Sequence, residues 1–376
     1  MKNLTNNQSC GMIDIDSVIE CFNKIDDVSC EKVKKFQSTD FKHKRYLLGR
    51  NQHSATLIKI FDINGVIDDF AGDGTMWNDQ LVIKSAQIPK DALVVNCSMS
   101  ISPISAARRL NELSNITMIA YSDLCKALPE LLPLPDFVDE ARSDIATNKS
   151  KYNHIHSLLG DKESKHIFNS LIGYRLTGDY SFMRDCTVRF KEQYFEPFLG
   201  ALDESVFVDC GGYDGDTTEE FCQKYPNYKD VYIFEPSEEN VGKAKIRLNG
   251  VRDIQLVPLG LSDEPGVLWF NADAGSASSI SENGSCKVDV TTLDDYIKGE
   301  ISFIKMDIEG WELRALKGST KHILVDHPIL AISVYHHISD FWQIPEFIFN
   351  IRDDYDVYLR HYTEGWSETV MYFIPR

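Results

Sequence analysis

The residues best suited to chemistry lie in four short stretches of a 376-residue chain. In residues 205–218 (SVFVDCGGYDGDTT), Asp209 ends an apolar run, and Gly211, Gly212 and Gly215 follow it. Glycines packed that closely after a strand let backbone approach a ligand that any Cβ would push away. A dinucleotide fingerprint, G-x-G-x-x-G, needs a glycine where this chain has Cys210. The Asp209 carboxylate beside it repels a pyrophosphate and attracts an ammonium. S-adenosylmethionine (SAM) carries an ammonium and a sulfonium and no phosphate. The loop therefore suits SAM better than NAD, and Asp209, Gly211, Gly212 and Gly215 are expected to hold the cofactor.

Three further stretches continue the pattern. Glu235 ends the strand-like run 230–234, about 20 residues beyond the glycines, where an acid accepts hydrogen bonds from ribose hydroxyls. Ser262 and Asp263 follow a third strand and are expected to read the adenine edge. Residues 301–313 (ISFIKMDIEGWEL) present Lys305, Asp307 and Glu309 at the carboxyl end of a buried strand, the edge where open α/β sheets hold ligands. Asp307 faces either the methionine end of the cofactor or an incoming acceptor; Glu309 shares that part or only caps the turn at Gly310 and Trp311.

The chemistry expected of these groups is in-line displacement of a methyl group from the sulfonium by an acceptor oxygen. The protein then mainly aligns reactants and excludes water. Proton removal from a hydroxyl would help, and His336, just beyond a fifth strand, is the first choice of general base, followed by His337, Asp307 and His361. The His336–His337 pair serves equally well as a hydrogen-bonded rim. Asp307, Glu309 and His336 have the donor chemistry of a divalent-metal site. No spacing demands a metal, and none is expected.

Elements must position these residues. Residues 13–36 have apolar positions at helical spacing, and Arg45 opens a strand-like run ending at Gly49. Apolar runs at 57–61, 65–68, 81–83, 93–96 and 116–120, with a helical pattern at 103–113, imply a small α/β domain of parallel type. Residues 127–137 carry prolines at 129, 133 and 135 and read as a semi-rigid connector, followed by a polar stretch at 136–150 and a helix at 164–176. Tyr194 and Phe195 either cap a pocket or simply pack. Beyond Asp209, helices are expected at 218–225, capped by Asp216 and Thr217, and at 238–248, with a small-residue loop at 274–281. A fifth strand at 329–334, a helix at 340–351 and strands at 356–360 and 369–374 close the chain. The short connection between the last two makes them an antiparallel hairpin, an ending that a dehydrogenase sheet lacks.

VDCGGYDGDTT, IFEP, LSDEPG, VTTLDDY, FIKMDIEGWELRALKG and YHHISDFWQIP, in that order over residues 205–376, resemble the FkbM family of SAM-dependent methyltransferases. The resemblance implies a class I methyltransferase fold and O-methylation, often of sugars or other natural-product hydroxyls, with a sugar or glycan precursor as the expected acceptor. Trp311 departs from the family pattern, where a small residue is common, and is expected to narrow the acceptor pocket. GVIDDF (65–70) with the later IPKDALVVNCS resembles the nucleotide-binding-like domain that precedes some sugar-modifying enzymes. Arg50 and Gln52 stand where glycines would be needed, so that domain is read as structural or substrate-orienting. The expected architecture is α/β: a Rossmann-like domain over 1–126, a connector and helical linker over 127–200, and over 201–376 a doubly wound methyltransferase sheet ending in an antiparallel hairpin.

Composition narrows the alternatives. A net charge of -18 argues against nucleic acid as a partner. The nine cysteines show no C-x-x-C pair, so neither a zinc site nor a disulfide framework is indicated, and reduced thiols in a cytoplasmic protein are expected. The first thirty residues are polar and no apolar run reaches membrane-spanning length. A homo-oligomer is compatible with all of this. Two other classes stay open: an NAD-dependent nucleotide-sugar enzyme, and a non-catalytic SAM-fold scaffold in a glycan assembly system.

Overall fold

The computed structural model describes residues 11–113, 115–270 and 286–376, so the small-residue loop expected at 274–281 lies outside the described residues. The chain forms two compact units. One comprises residues 1–149, 166–190 and 362–367, and the other residues 150–165, 191–361 and 368–376.

The first unit is built on strands β1 (Arg45–Leu48), β2 (Val66–Ile67), β3 (Met76–Trp77), β4 (Gln80–Ile83), β5 (Leu93–Asn96) and β6 (Thr117–Ala120), in the order β3-β4-β2-β1-β5-β6. All pairs are parallel except β3 with β4. Alternate residues feed two cores. Leu47 and Val95 join Phe36, Leu57 and Leu124 on one face, while Tyr46, Leu48 and Val94 join Leu110 on the other. A sheet buried on both faces explains the continuous apolar runs of its strands. Two local readings are corrected. The helical pattern of 13–36 is two helices, Ile15–Phe22 and Asp27–Gln37, because Asp26 caps the second by accepting the Ser29 N–H at 3.0 Å. Residues 57–61 end no strand: Leu57 lies in the helix Gln52–Ile60, whose amino end is capped by Asn51.

Residues 127–200 contribute mostly helix. The polar stretch after the prolines is helical, Asp136–Leu158, broken at Asn148 (φ -113°, ψ 21°), and Lys162–Thr177 follows.

The second unit carries β7 (Val206–Cys210), β8 (Asp230–Phe234), β9 (Ile254–Val257), β10 (Gly260–Leu261), β11 (Gly266–Phe270), β12 (Cys286–Thr291), β13 (Phe303–Met306), β14 (Ile329–Ser333), β15 (Tyr355–His361) and β16 (Thr369–Pro375). Its main sheet runs β15-β16-β14-β13-β7-β8-β9, with β10, β12 and β11 forming a separate small sheet. The five strands from β14 to β9 are parallel, and β16 runs antiparallel to both β14 and β15. This is the doubly wound sheet with a terminal antiparallel hairpin. Strand order reverses at β7, with β13 on one side and β8 on the other, so the loops after β7, β8 and β13 gather at the carboxyl edge of the sheet, where open α/β sheets hold ligands. Under β7 the rings of Phe207, Phe221 and Phe303 pack together, with Phe207 and Phe221 stacked at 4.2 Å. No helix among the described residues is long and apolar enough to cross a membrane.

Candidate active site

The glycine loop leaves the carboxyl end of β7 at its centre. Asp209 and Lys305 are register partners on β7 and β13, so their side chains emerge side by side. Asp209 is fully buried, with Oδ1 2.9 Å from Lys305 Nζ and Oδ2 accepting from Thr218 Oγ1 at 2.8 Å. Expected to meet the ammonium of a ligand, this carboxylate meets an ammonium of the protein instead. Lys305 Nζ also donates to the Gly211 carbonyl at 2.8 Å, so the pair ties the loop to the neighbouring strand. Burial alone would lower the Lys305 pKa, but Asp209 and Asp307 more than offset it and hold the ammonium above the ordinary lysine value.

The glycines are required by the protein as well as by any ligand. A Cβ on Gly211 (φ +82°) would fall 1.9 Å from the Asp307 carbonyl oxygen, and one on Gly212 would fall 2.1 Å from Ile233 Cγ2. Gly215, left-handed at φ 84°, takes the N-cap position of the helix Asp216–Lys224, where Asp216 and Thr217 were expected.

Glu235, 7% exposed, accepts from the Tyr213 N–H at 3.0 Å and the Ser237 N–H at 2.8 Å. Burial raises its carboxyl pKa, and these bonds together with Asn240 oppose the rise. Ser262 Oγ donates to Asp263 Oδ1 at 2.9 Å and accepts from Trp311 Nε1 at 3.3 Å. Trp311 thus joins the residues expected at the adenine edge, with the Arg314 guanidinium 4.6 Å over its ring and Asp263 3.6 Å from the same guanidinium.

The densest group of ionisable side chains surrounds Asp307. Its Oδ2 accepts from the Tyr194 hydroxyl at 2.7 Å and its Oδ1 from the Tyr335 hydroxyl at 3.2 Å. Tyr194 and Phe195 divide the two parts left open for them. Phe195 is 1% exposed and packs against the Phe207 ring, while Tyr194 turns its hydroxyl into the site from a left-handed backbone (φ 70°). His336 Nε2 lies 3.4 Å from Glu309 Oε2 and 3.8 Å from Asp307 Oδ1, and its Nδ1 lies 3.2 Å from Glu312 Oε1. Burial alone would lower the His336 pKa, but Glu309, Glu312 and Asp307 hold it up at about 11. Both ring nitrogens of His336, the residue expected as general base, therefore face carboxylates. His337 is exposed on the same turn, and His361 is buried in the hairpin with Nδ1 2.8 Å from Thr369 Oγ1.

Glu368 was missed. It directly precedes β16, which begins beside the carboxyl end of β14 because the two strands are antiparallel. An acid at the start of β16 thus reaches the same sheet edge as one at the end of a parallel strand. Glu368 accepts from Gln193 Nε2 at 2.7 Å. Burial and then the Asp307 charge push its pKa up to about 7. The antiparallel hairpin was legible in the sequence and was the signal that could have placed Glu368. Glu312, also missed, is 1% exposed and accepts the Ile308 N–H at 2.8 Å, so it looked like an ordinary first-turn acid.

Comparison with known proteins bears on the domain and its fold. The sequence model of the methyltransferase FkbM domain matches residues 209–363. The crystal structure of a methyltransferase FkbM from Methylobacillus flagellatus KT is similar over 96% of this chain and 98% of its own, with 22% identity and a TM-score of 0.72. An rRNA methylase from Streptococcus thermophilus is 18% identical over 47% of this chain and 90% of its own, with a TM-score of 0.33. No curated protein matches the chain. With the sheet order and the matched motifs in one place, residues 209–363 carry the methyltransferase FkbM domain.

Proposed function

We propose that the protein transfers the methyl group of SAM to a hydroxyl oxygen of a sugar or glycan precursor. The observation that carries this reading is the Asp307 carboxylate, which already receives two phenol hydroxyls at the carboxyl edge of the sheet. A carboxylate set among hydroxyl donors suits a further hydroxyl better than an anion. Gly211, Gly212, Gly215 and Glu235 line the cofactor side, with Ser262 and Asp263 at the adenine end, and Asp209 acts from behind by holding Lys305 and the loop. Asp307 and Glu309 face the acceptor. Glu368 takes the acceptor proton, since its carboxyl pKa of about 7 matches proton transfer near neutral pH.

The test uses purified protein with methyl-labelled SAM and a panel of methyl glycosides, with amines as controls. The expected product is an alkali-stable methyl ether formed with one S-adenosylhomocysteine per transfer. Glu368→Gln should lower kcat by about 10²–10⁴-fold with little change in KM. Glu235→Ala should weaken S-adenosylhomocysteine binding by about 1–3 kcal/mol in calorimetry. Label arriving on nitrogen, or no binding of S-adenosylhomocysteine by the unaltered protein, overturns the reading.

A further inference from the structure

Asp307, Glu309 and Glu312 stand in one turn after β13, while His336 comes from the segment after β14, so the strand pairing brings an imidazole onto three carboxylates. Asp307, Glu312 and His336 each offer an atom within 4.8 Å of the others. Two facts separate this group from a solvated acidic patch. Both ring nitrogens of His336 are sealed from solvent, and neither has an aligned hydrogen-bond partner. Glu312 is held rigidly by the Ile308 and Gly310 N–H groups, with Oε1 3.2 Å from His336 Nδ1.

That is the layout of a metal-bound histidine. One ring nitrogen turns to a fixed carboxylate, which sets the tautomer, and the other faces the ligand set. Here Nε2 faces Glu309 Oε2 at 3.4 Å and Asp307 Oδ1 at 3.8 Å. Donor atoms bound at about 2.1 Å to one ion lie about 3.0–3.4 Å apart; measured from Nε2, Glu309 Oε2 is at that spacing and Asp307 Oδ1 lies about half an ångström beyond it. We propose that His336 Nε2, Asp307 and Glu309 bind a divalent cation of the Mn²⁺ class, with Glu312 orienting the imidazole. Two carboxylates and one imidazole are a mixed oxygen and nitrogen set suited to that ion. This reverses the expectation of no metal drawn from sequence spacing, because the ligands come from two separate strand ends. The ion would bind an acceptor oxygen and ease loss of its proton to Glu368. That use rests on the methyl-transfer reading; the ion site does not.

The test is calorimetric titration of the full chain with MnCl₂ and, in parallel, ZnCl₂, without SAM. One Mn²⁺ should bind per chain. His336→Ala and Asp307→Asn should weaken it at least about tenfold, and Glu312→Gln by about 10–100-fold as a loss of ligand orientation. Glu346→Gln, at a surface pair with Lys151, should leave binding unchanged. Far-UV circular dichroism checks that each variant is folded, and Glu309→Gln, at a half-exposed side chain, supplies a folded ligand variant if His336→Ala does not fold. No Mn²⁺ binding up to about 1 mM overturns the site, as does binding undiminished in the folded ligand variants. Titration with S-adenosylhomocysteine separates the two readings: Mn²⁺ binding without it leaves the ion site standing and removes methyl transfer, and the reverse result removes only the ion site.

Discussion

At the scale of single residues, the buried Asp209–Lys305 pair shows how a motif residue comes to serve the fold. Both side chains are nearly inaccessible, 0% and 4% exposed. Two charges taken out of water are costly unless each satisfies the other, and removing one partner typically costs about 3–5 kcal/mol. Asp209→Asn should therefore lower unfolding free energy by about that amount in urea titration, and adding Lys305→Met should restore much of it. An unchanged midpoint for the single variant would mean that the pair carries no such weight. Glu368 gives the complementary case. Its carboxyl pKa of about 7 lies above the unfolded value of about 4.3, so the folded chain keeps a proton that the unfolded chain releases. The resulting stabilisation is full below about pH 4 and is lost as pH rises through about 7. Asp307, Glu309, His336 and Gln193 set this environment. Glu368→Gln should thus melt above the unaltered protein at pH 8 and close to it at pH 4.

At the scale of elements, the turn after β7 is decided by close approach as much as by backbone freedom. Gly211 needs both a left-handed φ and space against the Asp307 carbonyl, whereas Gly74 (φ +72°) has no atom near its missing Cβ. Gly74→Ala should cost only the left-handed penalty of about 1–2 kcal/mol. Gly211→Ala should cost clearly more and also weaken S-adenosylhomocysteine binding, because it forces the loops after β7 and β13 apart. Thermal melts and calorimetry on the two variants make the comparison, and equal losses would count against it. The helices Pro103–Leu113 and Asp340–Ile351 were legible from spacing because each buries one face. The two helices in 13–36 were not, since a four-residue break between amphipathic segments does not disturb the apolar period.

At the scale of the whole molecule, neither unit is continuous in sequence, and 150–165 belongs with the methyltransferase sheet. Arg360 on β15 is 5% exposed and pairs with Asp161 Oδ2 at 2.7 Å and Ser164 Oγ at 2.9 Å. Tyr194 and Gln193, which hold Asp307 and Glu368, also precede residue 201. A chain cut to residues 201–376 should therefore lack a cooperative melt and fail to bind S-adenosylhomocysteine, although it contains every matched motif. A sharp melt with binding intact would show the upstream segments to be dispensable.

Taken alone, the sequence determined most strands and helices of the second unit, the glycine turn, the acid after β8 and the terminal hairpin. These depend on apolar period, turn residues and local spacing, all of which are written along the chain. Tertiary structure alone decided which charges neutralise each other: Asp209 with Lys305, and His336 among Asp307, Glu309 and Glu312. Those pairings depend on strand register and on burial. A proton's preference for one group over another is set by neighbours that arrive from distant parts of the chain.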